Sequence, residues 1–312
     1  MKKLLISGLG GSFFPYLHNQ LESKFELYYV DNNINLKNVY PDYNFHHVPL
    51  VNDINYLDIL EEIINQNDID AYLPLIDEEI ELIIKRFSNK LIIIAPNLDF
   101  VKLCLNKYDL MAKLEQKNLS VIKTYTADNY SEELPYPIFL KPISGRGSRG
   151  IFKIENKEQY DAYFKLYNQY LPSDILVQEN IIGQEYTIGV LTNNLNDLIV
   201  INSKKVLSKK GITQSAVTEV NELITTVVKS IVLEISPQGP FNVQLFINNN
   251  NEIKIFEINP RFSTTTIMSY AANIDEVSLF LDHYDKKYSS KILEPKEGLN
   301  LYRRWESLFY NN

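Results

Sequence analysis

The sequence predicts an α/β domain followed by a mixed α+β region in two parts, and three observations carry that prediction. Over the first hundred or so residues, short apolar runs alternate with amphipathic stretches, the pattern of a parallel sheet covered by helices. The alternation ends at Ala95-Pro96-Asn97, where proline forbids continuation of a strand and Asn97 is suited to cap a helix. Beyond that point, short β-rich runs separated by turns take over.

In the first part, strands are predicted at Leu4–Ser7, Leu27–Asp31, Ala71–Leu75 and Leu91–Ala95, with helices at Pro15–Lys24, Ile54–Gln66 and Glu78–Phe87. Together they read as a Rossmann-like unit over residues 1–97. Helices are expected next at Asp99–Leu105 and Lys107–Lys117. Ile138–Lys141, Ile151–Ile154, Ile175–Gln178 and Tyr186–Leu191 read as short strands, with one helix over 158–167, so that residues 98–185 form a small α+β subdomain. From Leu198 strands dominate a C-terminal subdomain, 186–312. A long amphipathic helix at Glu219–Glu234 interrupts them, and helices at Thr264–Ala272 and Val277–Asp282 close the chain. The four asparagines Asn248 to Asn251 read as a hairpin turn.

At 312 residues the chain is longer than one typical domain and can bury a sizeable core. Its 31 Lys+Arg against 39 Asp+Glu leave a net charge of -8, which repels polyanions and argues against nucleic acid as a partner. A single cysteine, Cys104, excludes an intramolecular disulfide and a cysteine-based zinc site; between Leu103 and Leu105 it reads as a core thiol in a reducing compartment. Leu4-Leu5-Ile6 is too short an apolar run for a signal peptide, and no stretch approaches the roughly 18–20 apolar residues of a membrane span. The expectation is a cytoplasmic protein with no membrane partner.

The strongest local signal is Phe139-Leu140-Lys141-Pro142-Ile143-Ser144-Gly145-Arg146-Gly147-Ser148-Arg149-Gly150. A strand that delivers a lysine into a Gly/Ser/Arg hairpin lets backbone N–H groups and cations wrap phosphate oxygens closely. Taken alone, such a loop reads equally as a glycine-rich surface turn. It is not a Walker A loop, because it lacks the Gly-Lys-Ser/Thr ending and joins two strands.

A second signal lies near the C-terminus, in Phe241–Ile247 and Ile253–Arg261. Alternation puts Glu257, Asn259 and Arg261 on one face of the second strand, with Phe256 and Ile258 on the other. If the asparagine run makes the hairpin, Gln244 comes opposite Glu257 on the polar face. Such oxygen donors, shared with phosphate oxygens, suit magnesium, which seldom receives a complete protein cage. Arg261 is suited to hold a phosphoryl group or an acyl phosphate by a bidentate contact. Taken alone, the row reads equally as a solvent-facing strand.

With these two motifs in this order, the chain resembles ATP-grasp proteins of the carbamoyl-phosphate-synthase large-subunit-like group over essentially its whole length. Ile6-Ser7-Gly8-Leu9-Gly10-Gly11-Ser12 with Pro15 is similar to the opening of that group's pre-ATP-grasp domain, and Asn106-Lys107-Tyr108-Asp109 to its helix-opening lysine motif. Gln178-Glu179-Asn180-Ile181-Ile182-Gly183-Gln184-Glu185 resembles its hinge. The resemblance implies a Rossmann-like pre-ATP-grasp domain followed by a two-subdomain ATP-grasp fold, with ATP and Mg2+ (or Mn2+) as cofactors. It implies that Lys107 and Lys141 contact nucleotide phosphates beneath a closing loop containing Ser144, Gly145, Gly147, Ser148 and Gly150. It further implies that Glu179 and the following backbone of Asn180 and Ile182 meet the adenine, and that Glu185 meets the ribose hydroxyls. Gln244, Glu257 and Asn259 match the metal positions, and Arg261 matches the basic residue beside an acyl phosphate. Without the resemblance, Glu179 and Glu185 read as exposed carboxylates flanking a turn.

The activity implied is that of a carboxylate–amine ligase. A small carboxylate attacks the γ-phosphoryl group of ATP, and an amine then displaces phosphate from the acyl phosphate. One ATP-binding unit instead of two argues against carbamoyl phosphate as the product. Alternative readings are a small-molecule kinase that stops at phosphorylation, a non-catalytic nucleotide-binding protein, and a nicotinamide enzyme built on Gly8-Leu9-Gly10-Gly11. That turn has Phe13 where a third glycine belongs. Lys204, Lys205, Lys209 and Lys210 are candidates for substrate or phosphate contact, although a charge run is more often a solvated face. No catalytic role falls to His18, His46, His47 or His283, and a homodimer is compatible with this reading.

Overall fold

The computed structural model describes residues 1–11, 13–145, 150–166, 170–304, 307 and 309. The chain opens with β1 (Lys2–Ser7), α1 (Phe14–Leu21), β2 (Phe25–Asp31), α2 (Leu36–Val39), β3 (Asn44–His47), α3 (Tyr56–Gln66), β4 (Ala71–Leu73), α4 (Asp77–Phe87) and β5 (Ile92–Ile93). The strands form a five-stranded sheet in the order β3-β2-β1-β4-β5, and every neighbouring pair is parallel. Helices cover both faces, so adjacent residues of one strand are both buried: Leu4 and Ile6 pack with α1, Leu5 with α3 and α4. Acidic residues in the first turn of α4 and Lys85 and Arg86 in its last complement the helix dipole.

The predicted Rossmann-like unit is present, with two elements that the apolar pattern did not reveal. The one-turn helix α2 and the four-residue edge strand β3 lie in an Asn- and Tyr-rich stretch, and β3 has no fully buried residue to mark a period. Helix α3 begins at Tyr56 instead of Ile54, whose side chain is exposed.

Helices α5 (Leu98–Leu105) and α6 (Lys107–Gln116) follow, capped by Asn97, whose side chain accepts from the Phe100 N–H, and by Asn106, which accepts from the Tyr108 and Asp109 N–H groups. A four-stranded sheet of order β6-β9-β7-β8 is built from β6 (Thr124–Thr126), β7 (Ile138–Pro142), β8 (Phe152–Ile154) and β9 (Ile175–Glu179). It is covered by α7 (Lys157–Leu166), through Tyr163.

The chain then enters a six-stranded sheet of order β14-β13-β10-β11-β12-β15. It contains β10 (Gly183–Thr192), β11 (Leu198–Lys210), β12 (Ile212–Thr218), β13 (Pro240–Asn248), β14 (Ile253–Asn259) and β15 (Asn300–Tyr302). Helix α8 (Glu222–Ile235) packs on one face together with α5 and α6: Phe100, Leu110 and Leu114 share a core with Ile188, Ile231 and Val243. Within the expected 98–185 unit, the two helices thus belong by packing to the larger sheet. The last helices are α9 (Ile267–Ala271) and α10 (Glu276–His283). Helix α9 starts after Thr264-Thr265-Thr266, because the Ser263 hydroxyl accepts from the Thr265 N–H and holds the preceding turn.

The asparagine run makes the expected hairpin. Asn248 Oδ1 accepts from the N–H groups of Asn250 and Glu252, and Asn251 takes the left-handed conformation at φ 61° that asparagine tolerates.

Candidate active site

The floor of the cleft is the β13–β14 hairpin. Gln244 stands opposite Glu257 and Asn242 opposite Asn259, so four oxygen-bearing side chains line up on the cleft face. Asn242 was not predicted, although it lies two residues before Gln244 and alternation alone puts it on the same face. The Thr187 hydroxyl on β10 donates to Asn242 Oδ1 at 2.9 Å.

One sequence expectation fails here. The ladder steps from Gln244–Glu257 to Leu245–Ile255, leaving Phe256 as the extra residue of a β-bulge. The bulge brings Phe256 to the same cleft as Glu257, where it packs on Phe246 with ring centroids 5.0 Å apart. Simple alternation had assigned it to the opposite face.

Lys141, near the end of β7, is buried above this floor, and its Nζ donates to the Phe256 carbonyl at 3.4 Å. Burial lowers its pKa to about 8; Glu257 opposes that shift, while Lys107 and Lys209 add to it. Lys107 is buried at the start of α6 and donates to the carbonyls of Gly145 at 2.7 Å and Ile143 at 3.4 Å, so it ties down the entry to the loop. Ser144 and Gly145 line the cleft beside both lysines, Gly145 at φ 122°. Gly150, at φ 70°, closes the loop against the Pro142 ring. Gly147 and Ser148 lie outside the described residues, as do Arg146 and Arg149.

Toward the hinge the cleft opens into a pocket of about 480 Å³ lined by Phe139, Phe246, Phe256, Glu179, Asn180 and Ile181, among others. Glu179 Oε1 accepts from the Lys123 N–H at 2.7 Å, so the carboxylate is held by the backbone beside β6. Ile182, by contrast, has an exposed side chain that does not line the pocket; Ile181 does. Lys209 donates to Glu185 at 2.6 Å and to Gln244 at 3.0 Å, with its ammonium 5.6 Å from the Phe256 ring centroid. Of the four lysines singled out on β11, it is the one that reaches these expected ribose and metal positions.

Arg261 clamps Asp77, the first residue of α4, with contacts of 2.6 and 3.0 Å, so this arginine joins the C-terminal sheet to the N-terminal domain while lining the cleft. Burial works against its charge, but Asp77 outweighs burial and holds the pKa above the ordinary arginine value. Asp77 carried no sequence signal, because its partner is 184 residues away. Lys204 is buried on the same sheet, without a hydrogen bond among the described residues, its pKa lowered to about 8 by burial and supported by Glu276. Gly189 leaves the room for this pair: a side chain there would meet Lys204 Nζ at 3.3 Å and Glu276 Oε1 at 3.8 Å. The Gly8–Gly11 turn is absent from the lining of the cleft, and Asp31 accepts from the Gly10 N–H at 3.2 Å.

Among the described residues no group of three or more His, Cys, Asp or Glu is placed to hold a metal. The hairpin instead presents one carboxylate and three side-chain amides. Such a set suits a hard cation that takes much of its coordination from water and phosphate, so the residues fit magnesium better than a transition metal.

A parallel-sheet domain followed by two antiparallel sheets, with a lysine-rich cleft facing an oxygen-bearing hairpin, defines a nucleotide-cleft architecture of the ATP-grasp kind. Residues 104–265 match the ATP-grasp domain, and residues 4–92 match the PylC-like N-terminal domain. The chain belongs to the ATP-grasp family. It is 28% identical over 158 residues to a D-alanine–D-alanine ligase of Oceanobacillus iheyensis, covering 46% of this chain and 43% of that protein. It is 27% identical over 191 residues to the carbamoyl phosphate synthase arginine-specific large chain of Halalkalibacterium halodurans, covering 58% of this chain and 18% of the other. These matches therefore span less than half of either relative's length. The fold is similar to the biotin carboxylase domain of 2-oxoglutarate carboxylase from Hydrogenobacter thermophilus, solved with MgADP and bicarbonate (TM-score 0.76, 15% identity, 93% of this chain and 71% of that one). It is also similar to an L-amino acid ligase from Bacillus licheniformis (TM-score 0.70, 16% identity, 91% and 74%). No described helix is long and apolar enough to cross a membrane.

Proposed function

We propose that this chain is an ATP- and magnesium-dependent ligase that activates a small carboxylate as an acyl phosphate and passes the acyl group to an amine. The observation that carries this reading is the burial of Lys141 beside Glu257, directly over the Gln244/Glu257/Asn259 row. A buried ammonium above amide and carboxylate oxygens is suited to polyphosphate with a divalent cation between them. Family membership and the ligases among its relatives support the reading.

In this reading Lys107, Lys141, Ser144, Gly145, Gly147, Ser148 and Gly150 hold the phosphates. Glu179, Asn180 and the Ile182 backbone hold the adenine, and Glu185 holds the ribose. Gln244, Glu257 and Asn259 hold magnesium, which manganese can replace and which would neutralise phosphate charge. A carboxylate oxygen bonds to the γ-phosphorus as the bond to ADP breaks. The amine nitrogen then bonds to the acyl carbon, phosphate departs and the amine loses a proton. Arg261, held by Asp77, faces the charge that develops on the acyl phosphate. Closing the loop between β7 and β8 would keep water from that intermediate.

The test is ADP release from MgATP across carboxylates and amino acids, each with and without amines, for the wild type, Glu257→Gln and Lys141→Ala. Amine-dependent turnover that both substitutions reduce by at least about a hundredfold is expected, the size typical of losing a group that stabilises transition-state charge. Amine-independent phosphorylation would make the protein a kinase, and ATP binding without turnover would make it a nucleotide-binding regulator.

A further inference from the structure

Beside Lys107 and Lys141 the cleft has a third lysine, Lys209, near the end of β11 and next to the tight turn in which Gly211 takes φ 71°. The β11–β12 ladder shifts register between Ser208 and Lys209, an irregularity of the kind that re-aims a side chain. Lys209 lines both the main cleft and the hinge pocket. Two acceptors hold its ammonium there: Glu185 Oε1 at 2.6 Å and Gln244 Oε1 at 3.0 Å.

The contact with Gln244 bears on the metal. Magnesium bonds oxygen at about 2.0–2.1 Å. A cation bound to Gln244 Oε1 would therefore lie within about 5 Å of an ammonium that already donates to the same atom at 3.0 Å. Like charges at that distance repel, so the ammonium and a divalent cation exclude one another at Gln244. The lysine is able to yield. Its pair with Glu185 leaves 28% and 19% of the two side chains exposed, so water screens it and it is cheap to break. The stem of a lysine is flexible, and the charge of Lys209 already acts on Lys141, the lysine over the metal row.

We propose that Lys209 is a further phosphate-binding residue that exchanges partners with the metal. Its ammonium holds Gln244 and Glu185 until MgATP enters; it then moves to the polyphosphate, as the divalent cation takes Gln244 and the ribose hydroxyls take Glu185. The phosphate half of this exchange rests on the nucleotide reading of the cleft, whereas the exclusion of a metal from Gln244 is measurable without nucleotide. A divalent cation arriving alone must drive the ammonium into solvent. One arriving with phosphate supplies the ammonium with a new anionic partner, so the metal row favours the cation that comes with a nucleotide.

The experiment compares the full chain with Lys209→Met, which removes the charge and keeps an unbranched stem. Mn2+ alone, followed by electron paramagnetic resonance, should bind the variant about tenfold more tightly than the wild type, the size expected from relieving one repulsion near the surface. Adding Gln244→Ala should abolish that gain. MgATP, followed by calorimetry, should bind Lys209→Met about tenfold more weakly, the effect of losing one charge-assisted contact. Adenosine, which has no phosphate and needs no metal, should bind the variant at least as well as the wild type. Mn2+ affinity that is unchanged or lowered in Lys209→Met, a gain that survives Gln244→Ala, or unchanged MgATP affinity would overturn the exchange. Adenosine binding that weakens in step with MgATP would leave Lys209 a merely structural role. MgATP binding by neither protein would sink the nucleotide reading and the phosphate role with it, and the Mn2+ comparison would then decide the exclusion by itself.

Discussion

Burial makes the Lys141 proton easier to lose, and the charges of Lys107 and Lys209 add to that effect against the opposing charge of Glu257. As pH rises through about 8 the empty cleft loses this positive charge, so ATP affinity should fall above that pH, by at most about tenfold per unit. Calorimetric titration from neutral to alkaline pH checks this. Lys141→Arg, which keeps its charge throughout, should flatten the decline, and identical profiles for the two proteins would refute the role. Lys204 and Glu276 pose a different residue-level problem. Glu276 accepts from Thr266 and Ser269, whereas Lys204 has no hydrogen-bond partner among the described residues. Glu276→Gln should therefore cost about 3–5 kcal/mol in urea unfolding, because it strands a buried ammonium. Lys204→Met added to it should recover most of that loss. In the sequence Lys204 belongs to one charge run with Lys205, Lys209 and Lys210, and nothing local tells its core ammonium from a solvated one, since burial depends on the strands that pack beside it.

Among the elements, the β13–β14 hairpin carries the most chemistry for its length. Its turn and the closeness of Gln244 to Glu257 were legible, because asparagine tolerance of left-handed backbone and the two-residue alternation are local rules. The bulge was not, because an extra residue in one strand is visible only against its partner. Phe256 consequently joins Phe246 as an apolar wall of the hinge pocket. Phe256→Ala should weaken ATP binding roughly tenfold, the order expected for removing one aromatic contact of about 1.5 kcal/mol, while the half-exposed position limits the loss of stability. Fluorescent-nucleotide titration paired with thermal unfolding separates the two effects; a collapse of stability with unchanged affinity would place Phe256 in the core instead.

At the scale of the whole molecule, the junction between the N-terminal domain and the large sheet is held at several points. Asn97 donates to the Ser236 carbonyl at 2.6 Å and its backbone N–H to Pro237, and a side chain at Gly239 would come within 2.5 Å of the Ala95 carbonyl oxygen. Arg261 and Asp77 form a charged link in this junction, both with little exposed side-chain surface. Asp77→Asn should cost about 3 kcal/mol of stability by leaving a buried guanidinium without its counter-charge. If Arg261 also faces the acyl phosphate, the same change should lower kcat of the proposed reaction more than it changes ATP affinity. Loss of affinity with kcat intact would assign the pair to nucleotide binding alone.

The sequence by itself determined four strands and three helices of the N-terminal domain, the helix cap at Asn97, and the two motifs around Lys141 and Glu257. Each of these depends on neighbours within a few residues, so spacing and propensity suffice to reveal them. Only the tertiary structure decided that α5 and α6 pack on the larger sheet, that Lys209 bridges Glu185 and Gln244, and that Arg261 reaches Asp77. Those contacts join residues up to 184 positions apart, and their geometry comes from how sheets stack and domains meet. Side-chain charge and burial acquire their meaning there, because the dielectric around a lysine or an arginine is set by the whole fold.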